Sequence, residues 1–293
     1  MAGWAIYNGF WNPDTPPDPV ERLCRAAKDR GWTLTPVPNT SLIVSAGGDG
    51  ITVEGIDRGD TVLFWDKDVR LGQALASGGV RVHNPVDAIA VCDDKSATHL
   101  ALAAARVPMP RTLIAPMTYR EIGPQIAAFL RRAEAELGFP MVVKECYGSL
   151  GGQVYLARTP DDLRALAMKM GDKPFLAQAF LPTCAGEDHR LYVVGDRVVA
   201  AMHRRGVDFR SNIGGGGRGE AYLPTPAEET LALRCCRVLG LEFAGVDLLW
   251  DDRGEALVCE VNSNAFMAGI TACTGVDVAD EIVRYVMQKD GLA

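Results

Sequence analysis

The stretch 245–265, GVDLLWDDRGEALVCEVNSNA, decides how the rest of the chain reads. Two apolar runs flank an acidic turn, and the second sets Glu260, Asn262 and Asn264 at alternating positions. In a strand those three side chains share one face. A two-residue turn at Arg253-Gly254 puts Asp252 opposite Glu255, and counting back puts Asp247 opposite Glu260. Opposed carboxylates repel by a few tenths to about 1 kcal/mol unless something positive lies between them. With the Asn262 carbonyl one diagonal step away, the donors are all oxygens. That suits a hard cation, and magnesium in particular is held by one or two carboxylates plus substrate phosphates. The plain alternative is a solvated acidic sheet face.

A magnesium site needs an anion to serve, and KECYGSLGGQV (144–154) offers one a place. Lys144 ends a short buried strand, and Gly148, Ser149, Gly151 and Gly152 make a segment whose backbone N–H groups can approach phosphate oxygens. Lys95 lies in the first turn of a helix, where a cation is unfavourable unless an anion arrives. A glycine-rich hairpin loop and a surface lysine are the ordinary readings of these features taken singly. Taken together they suit a nucleoside triphosphate, without the G-x-x-x-x-G-K-[ST] of a P-loop.

Around this centre the chain divides into three. Residues 1–94 alternate strand-like runs (WAIYNG, TVLFWD, VRVHN) with helical ones (VERLCRAAKDRG, VRLGQALASGG), the rhythm of an α/β layer, and carry no G-x-G-x-x-G. Residues 95–177 read helix, helix (119 to 137), strand, glycine loop, strand, and a helix announced by Thr159-Pro160-Asp161-Asp162. Residues 178–293 hold a hairpin turned at Gly195-Asp196 and a glycine-dense loop. They continue into a helix capped by Thr225 and Glu228, with Leu231, Cys235, Val238 and Leu239 on its buried stripe, ended by Gly240.

Composition sets the outer limits. A net charge of −7 and a pI near 5.2 argue against nucleic acid as main partner. No window approaches the roughly 18 apolar residues of a membrane span, and the N-terminus has no signal-peptide pattern. Eight cysteines without a C-x-x-C pair suit a reducing cytoplasm.

In this order, Lys95, FPMVVKECYGSLGGQ, Asp188-His189-Arg190 before VVGDRVVAAM, DFRSN, LEFAGVDLL and EVNSN resemble the ATP-grasp superfamily, and within it the RimK-like amino-acid ligases. The similarity runs from Lys95 onward. It implies an ATP-grasp fold, α/β with α+β lobes, behind an N-terminal Rossmann-like lobe. ATP would lie between the central and C-terminal lobes. Lys95 and Lys144 would hold its phosphates, the Gly148, Ser149, Gly151 and Gly152 loop would close over them, and Gln178, Ala179, Phe180 and Leu181 would form the adenine hinge. Asp188 would meet the ribose. Asp247, Glu260 and Asn262 would hold Mg2+, with Mn2+ as substitute, and Arg190, Arg210 and Asn212 would face the transferring phosphoryl group and the receiving carboxylate. Two departures stand out: Ala179 where relatives often carry glutamate, and Gly152-Gln153 where a glycine is expected next to Val154.

The implied chemistry is carboxylate activation. The acid attacks the γ-phosphate, ADP leaves, and an amine displaces phosphate from the acyl phosphate, the demands being positional and electrostatic. The expected partners are a small-molecule or peptide carboxylate and an amino acid such as glutamate, with a dimer or tetramer as the assembly. The rivals are a small-molecule kinase, a macrocyclising peptide ligase and a nucleotide-binding module without turnover. His189 and His203 read as polar hairpin residues.

Overall fold

The computed structural model describes residues 3–10, 16–119, 123–148, 151–211 and 216–292. Ser149 and Asn212, both expected in the site, lie outside the described residues.

The apolar run WAIY becomes β1 (Gly3–Tyr7), followed by α1 (Asp18–Asp29), β2 (Leu34–Pro38) and a hairpin of β3 (Val44–Gly47) and β4 (Gly50–Val53). Next come β5 (Thr61–Trp65), α2 (Val69–Ser77), β6 (Arg81–His83) and α3 (Val86–Asp93). Strands β2-β1-β5-β6 form a parallel sheet, as strands joined by helical crossovers do. Their buried residues alternate between two cores. Ala5, Tyr7, Leu63 and Trp65 face α1, while Ile6, Val62 and Phe64 face α2.

The middle of the chain contributes α4 (Lys95–Ala104), β7 (Thr112–Ile114), α5 (Ala127–Leu137), β8 (Met141–Glu145), β9 (Val154–Ala157), α6 (Pro160–Met170) and β10 (Phe175–Ala179). The helix expected over 119 to 137 starts only at Ala127, after a 3-10 turn at Pro124–Ile126, because proline disfavours helix at Gly123 before it. The antiparallel sheet β7-β10-β8-β9 packs Met141, Val143, Phe175 and Ala177 against α5 and α6. Val142 and Lys144, on alternate positions, are left for the opposite face.

The last part holds β11 (Glu187–Val194), β12 (Arg197–Arg205), β13 (Arg218–Ala221), α7 (Pro226–Leu239), β14 (Phe243–Trp250), β15 (Ala256–Asn262), α8 (Ala268–Thr274) and α9 (Val278–Asp290). Its sheet runs β13-β12-β11-β14-β15. α7 carries the expected Thr225–Glu228 capping box and buries Leu231, Cys235 and Leu239, but Val238 faces outward at the rim of the stripe. On the sheet face away from α7 the alternate residues of β11 are Val194, Tyr192, Arg190 and Asp188. The face is therefore apolar at one end, where it meets α9 and the first lobe, and charged at the other.

The turn after β14 differs from the expected two residues. Pairing runs to Trp250 opposite Ala256, and Asp251 closes a longer loop by accepting from the N–H groups of Arg253 and Glu255. Taken alone this would shift every partner by one. A bulge beyond Leu248–Val258 leaves Cys259 unpaired, and Asp247 returns to a position opposite Glu260. The bulge also sends Val258 to the core face and Glu260 to the other. Asn264 falls beyond β15, so only Glu260 and Asn262 share the strand face.

One side chain ties the first sheet to this hairpin. Asn84, fully buried after β6, donates to the carbonyls of Phe243 (2.9 Å) and Ser263 (3.1 Å) and accepts from the N–H groups of Glu242 (2.8 Å) and Phe243 (3.1 Å). Replacing it orphans four buried backbone groups. Asn84→Ala is expected to cost about 3 kcal/mol or more, read as a fall in the urea midpoint; an unchanged midpoint would show that the four bonds contribute nothing net.

Candidate active site

A cavity of about 840 Å³ lies between the lobes. Its apolar lining includes Val142, Val154, Phe180, Leu181 and Leu249, and its polar lining Lys95, Lys144, Arg190, Arg210, Asp247, Glu260 and Asn262. Gly148, Gly151, Gln178, Ala179 and Asp188 also line it, so the expected site residues that the structure describes come together here, with Gly152 exposed beside Gly151.

The charges form two groups. In the first, the register of β11, β12 and β14 puts Asp188 beside Arg204 and Arg190 beside Asp247. Arg190 forks onto Asp247 with two bonds of 2.7 Å, and Arg204 reaches Asp188 at 2.6 Å and Asp247 at 2.8 Å. All four side chains are buried. Burial opposes the charge on Asp247, but the two guanidinium groups outweigh it and hold that carboxyl below the usual range. Asp188 goes the other way: burial, together with the charge of Asp247, pushes it up despite Arg204. Its second oxygen also takes a short bond from Ser211. Asp188 is thus committed to Arg204 and Ser211, and Arg190 to Asp247.

In the second group Lys144 is the uncompensated charge. Lys144 is 6% exposed, and no carboxylate of the described residues lies within ion-pair distance of its ammonium. Its neighbour is the Cys259 thiol at 3.7 Å, which burial pushes up to about 11 and so keeps neutral. The bulge in β15 is what aims that thiol. Lys95 donates to the Gly148 carbonyl at 2.9 Å and stands 3.4 Å from Glu260. Its position at the start of α4 is offset by Asp94, whose carboxylate caps the helix through Ser96 N–H. Arg210 pairs with Asp208 at 2.6 Å and donates to the Gly151 carbonyl at 3.0 Å, joining the glycine-dense segment to the glycine loop.

The donor set fits a hard cation. Glu260 is partly exposed and only loosely engaged by Lys95, and the Asn262 amide nitrogen is buried with no partner among the described residues, so that amide is not tied down by protein. Asp247 keeps lone-pair capacity beyond its guanidinium bonds. The apolar lining suits a flat base, and the Gln178 side chain is bonded to Thr112 and His99.

His99 went unnoticed in the sequence. Buried on α4, it bonds the Lys95 carbonyl through Nδ1 at 2.7 Å and Gln178 Nε2 through its own Nε2 at 3.0 Å. Both bonds are satisfied by one neutral tautomer, with Nδ1–H donating to the carbonyl and Nε2 accepting from the amide. A lone histidine on a helix gives no signal of this in sequence. Burial, and then the charge of Lys144, lowers its pKa to about 4.

A family model described as the RimK-like ATP-grasp domain matches residues 92–286. A Mycoplasma pneumoniae protein called an uncharacterized MG012 homolog is 34% identical, over 71% of this chain and 73% of that one. A probable alpha-L-glutamate ligase of Xanthomonas campestris is 32% identical, over 92% of this chain and 94% of its own. Among solved structures, a RimK domain ATP-grasp protein from Sphaerobacter thermophilus superposes with a TM-score of 0.75 at 25% identity, covering 98% of this chain and 100% of that one.

The lowered His99 pKa has a consequence for stability. The unfolded chain takes up the proton near 6.5 and the folded one only near 4, so the His99 contribution is whole above pH 6.5 and is lost as pH falls through that window. The loss approaches about 3 kcal/mol at its lower end. Urea midpoints of the natural protein and His99→Gln between pH 7 and pH 4 should converge as pH falls; parallel curves would show that His99 does not titrate there.

Proposed function

The chain belongs to the RimK-like ATP-grasp family and is an ATP-dependent ligase, and from that premise we propose that it uses magnesium to join an amino acid to the carboxylate of a small-molecule or peptide acceptor. The observation that carries the phosphate end of this reading is Lys144, a buried cation without a carboxylate partner among the described residues, lining the same cavity as the carboxylates of Asp247 and Glu260. A buried charge of that kind costs several kcal/mol unless a counter-charge arrives. A polyphosphate is the counter-charge of matching size. Glutamate is the first amino acid to try, after the name given to the Xanthomonas relative. Eight cysteines, none of them in a disulfide, suit a reducing cytoplasm.

Bound ATP–magnesium would supply the phosphoryl group that turns the acceptor carboxylate into an acyl phosphate. The protein's own part is to hold the reacting groups and meet their charge. Lys144 and Lys95 would stabilise phosphate oxygens, with Gly148 and Gly151 held at the cavity by the Lys95 and Arg210 bonds to their carbonyls. Glu260, Asn262 and Asp247 hold the cation, and the Arg190 fork fixes the Asp247 carboxylate plane. Asp188 acts through Arg204, which it holds in line with Asp247. Arg210 is near enough to the glycine loop to receive the acyl phosphate, as a guanidinium does in a bidentate fork. Phe180 and Leu181 offer backbone groups to the base.

Two measurements test this. ADP release should require both a carboxylic acid and an amino acid and should yield a product of their joined mass; a stable phosphorylated acid formed without amine would instead identify a kinase. Glu260→Gln, at a partly exposed position, should keep the natural melting temperature and lower ADP release by about a hundredfold or more, whereas unchanged turnover would remove Glu260 from the metal set.

A further inference from the structure

The run FWDKD (64–68) crosses from β5 into a loop, and Asp66 is the first residue beyond the strand. Asn8 is the first residue beyond β1. In the parallel sheet β2-β1-β5-β6 the chain builds outward from β1 in one direction and then from β5 in the other, so the order reverses between these two neighbours. The crevice outside the carboxyl ends of strands at such a reversal is where open parallel sheets bind their ligands. Asn8 and Asp66 stand on either side of it, joined by a bond of 3.2 Å from the Asn8 amide to Asp66 Oδ1. Both line the cavity.

Asp66 is 6% exposed, yet no cationic side chain of the described residues pairs with it. Oδ1 accepts from Asn8 and from the Lys67 backbone N–H at 2.7 Å, while Oδ2 is buried with no hydrogen-bond partner among the described residues. The nearest lysine in sequence, Lys67, is committed to Asp93 at 2.5 Å. Burial consequently pushes the Asp66 carboxyl up. Asn264, two residues past the candidate metal ligand Asn262, donates its amide to the Asp66 carbonyl at 3.0 Å, and its own Oδ1 is a second buried atom without a partner among the described residues. Two unsatisfied acceptors, one of them a carboxylate, lie on adjoining residues of the same cavity. What they lack is a donor that carries positive charge. A primary ammonium has three N–H donors and no acceptor.

We propose that Asp66, with Asn264 beside it, binds the primary ammonium of the amino-acid substrate. This rests on the ligase reading and deepens it, since it assigns the first lobe the task of recognising the amine. The Asn264 bond places that amine beside the segment that carries Glu260 and Asn262, where the acyl phosphate forms. Lysine and ammonium-bearing dipeptides present the same group and fall in the same class.

Thermal melting separates the two readings. A non-hydrolysable ATP analogue with magnesium should raise the melting temperature of the natural protein, and of Asp66→Asn equally, which reports the nucleotide site by itself. The common L-amino acids are then added at millimolar concentration, each free and N-acetylated. At least one free amino acid should raise the melting temperature further, its N-acetyl form should not, and Asp66→Asn should lose that second rise. The proposal is overturned if the acetylated form acts as well as the free one, if Asp66→Asn responds like the natural protein, or if no free amino acid acts while the nucleotide does. If the nucleotide itself gives no shift, the ligase reading fails, and the contrast between free and acetylated amino acids still reads the Asp66 contact. Should Asp66→Asn fail to fold, that same contrast on the natural protein decides.

Discussion

Four charged side chains buried on one end of a sheet set the terms for the rest of the molecule. Asp188, Arg190, Arg204 and Asp247 are affordable only because their strands are in a register that makes each acid meet a guanidinium. A slip of one residue between β11 and β14 would put Asp247 opposite an apolar neighbour and leave Arg190 alone. The quartet is neutral in sum and fully bonded, so it adds rigidity without adding net field. The field at the cavity comes from what lies outside it: Lys144, without a carboxylate partner among the described residues, and Lys95, loosely held by Glu260, while Arg210 is paired with Asp208. The positive groups at the cavity thus stand over a bonded floor.

The lobes are locked around that floor by polar contacts as much as by apolar ones. Asn84 fastens the end of β6 to the edges of β14 and β15, and beside it His83 bonds Glu242 and Asp290 while Lys289 bonds Glu242 at 2.7 Å. These are contacts between residues far apart in the chain. They fix how the first sheet presents the carboxyl ends of β1 and β5 to the cavity, and thus where those ends stand relative to Lys95 and Lys144.

The opposition of Asp247 and Glu260 is legible in the sequence, though the count that gives it is only half right. The pairing of Asp247 with Glu260 follows from counting back from a tight turn at Arg253-Gly254. The real loop is longer and a bulge at Cys259 restores the count, so two departures cancel. Helix caps at Thr159 and Thr225 were readable because a cap is a local pattern. His99, Asn84 and Asp66 were not, since each acquires its meaning from a partner scores of residues away, and a single buried polar residue looks the same in sequence whether it is satisfied or waiting for a ligand. The helix start at Ala127 and the outward Val238 show the same limit for periodicity, which gives a stripe but not its edges.

The core beneath β1 has a bearing on the order in which the chain assembles. Ala5, Tyr7, Val20 and Leu23 share one cluster with Ile282, Val283 and Val286 of α9, which packs along α1. While the protein is being synthesised, β1 and α1 emerge first and wait for nearly the whole of the remaining chain before that face is covered. The first lobe is then an unfinished surface on the ribosome, with Tyr7, Leu63 and Trp65 open to whatever passes, and it becomes a closed body only when α9 arrives. The arrival of α9 and the closing of the face formed by β1 and β5 are in this sense one event.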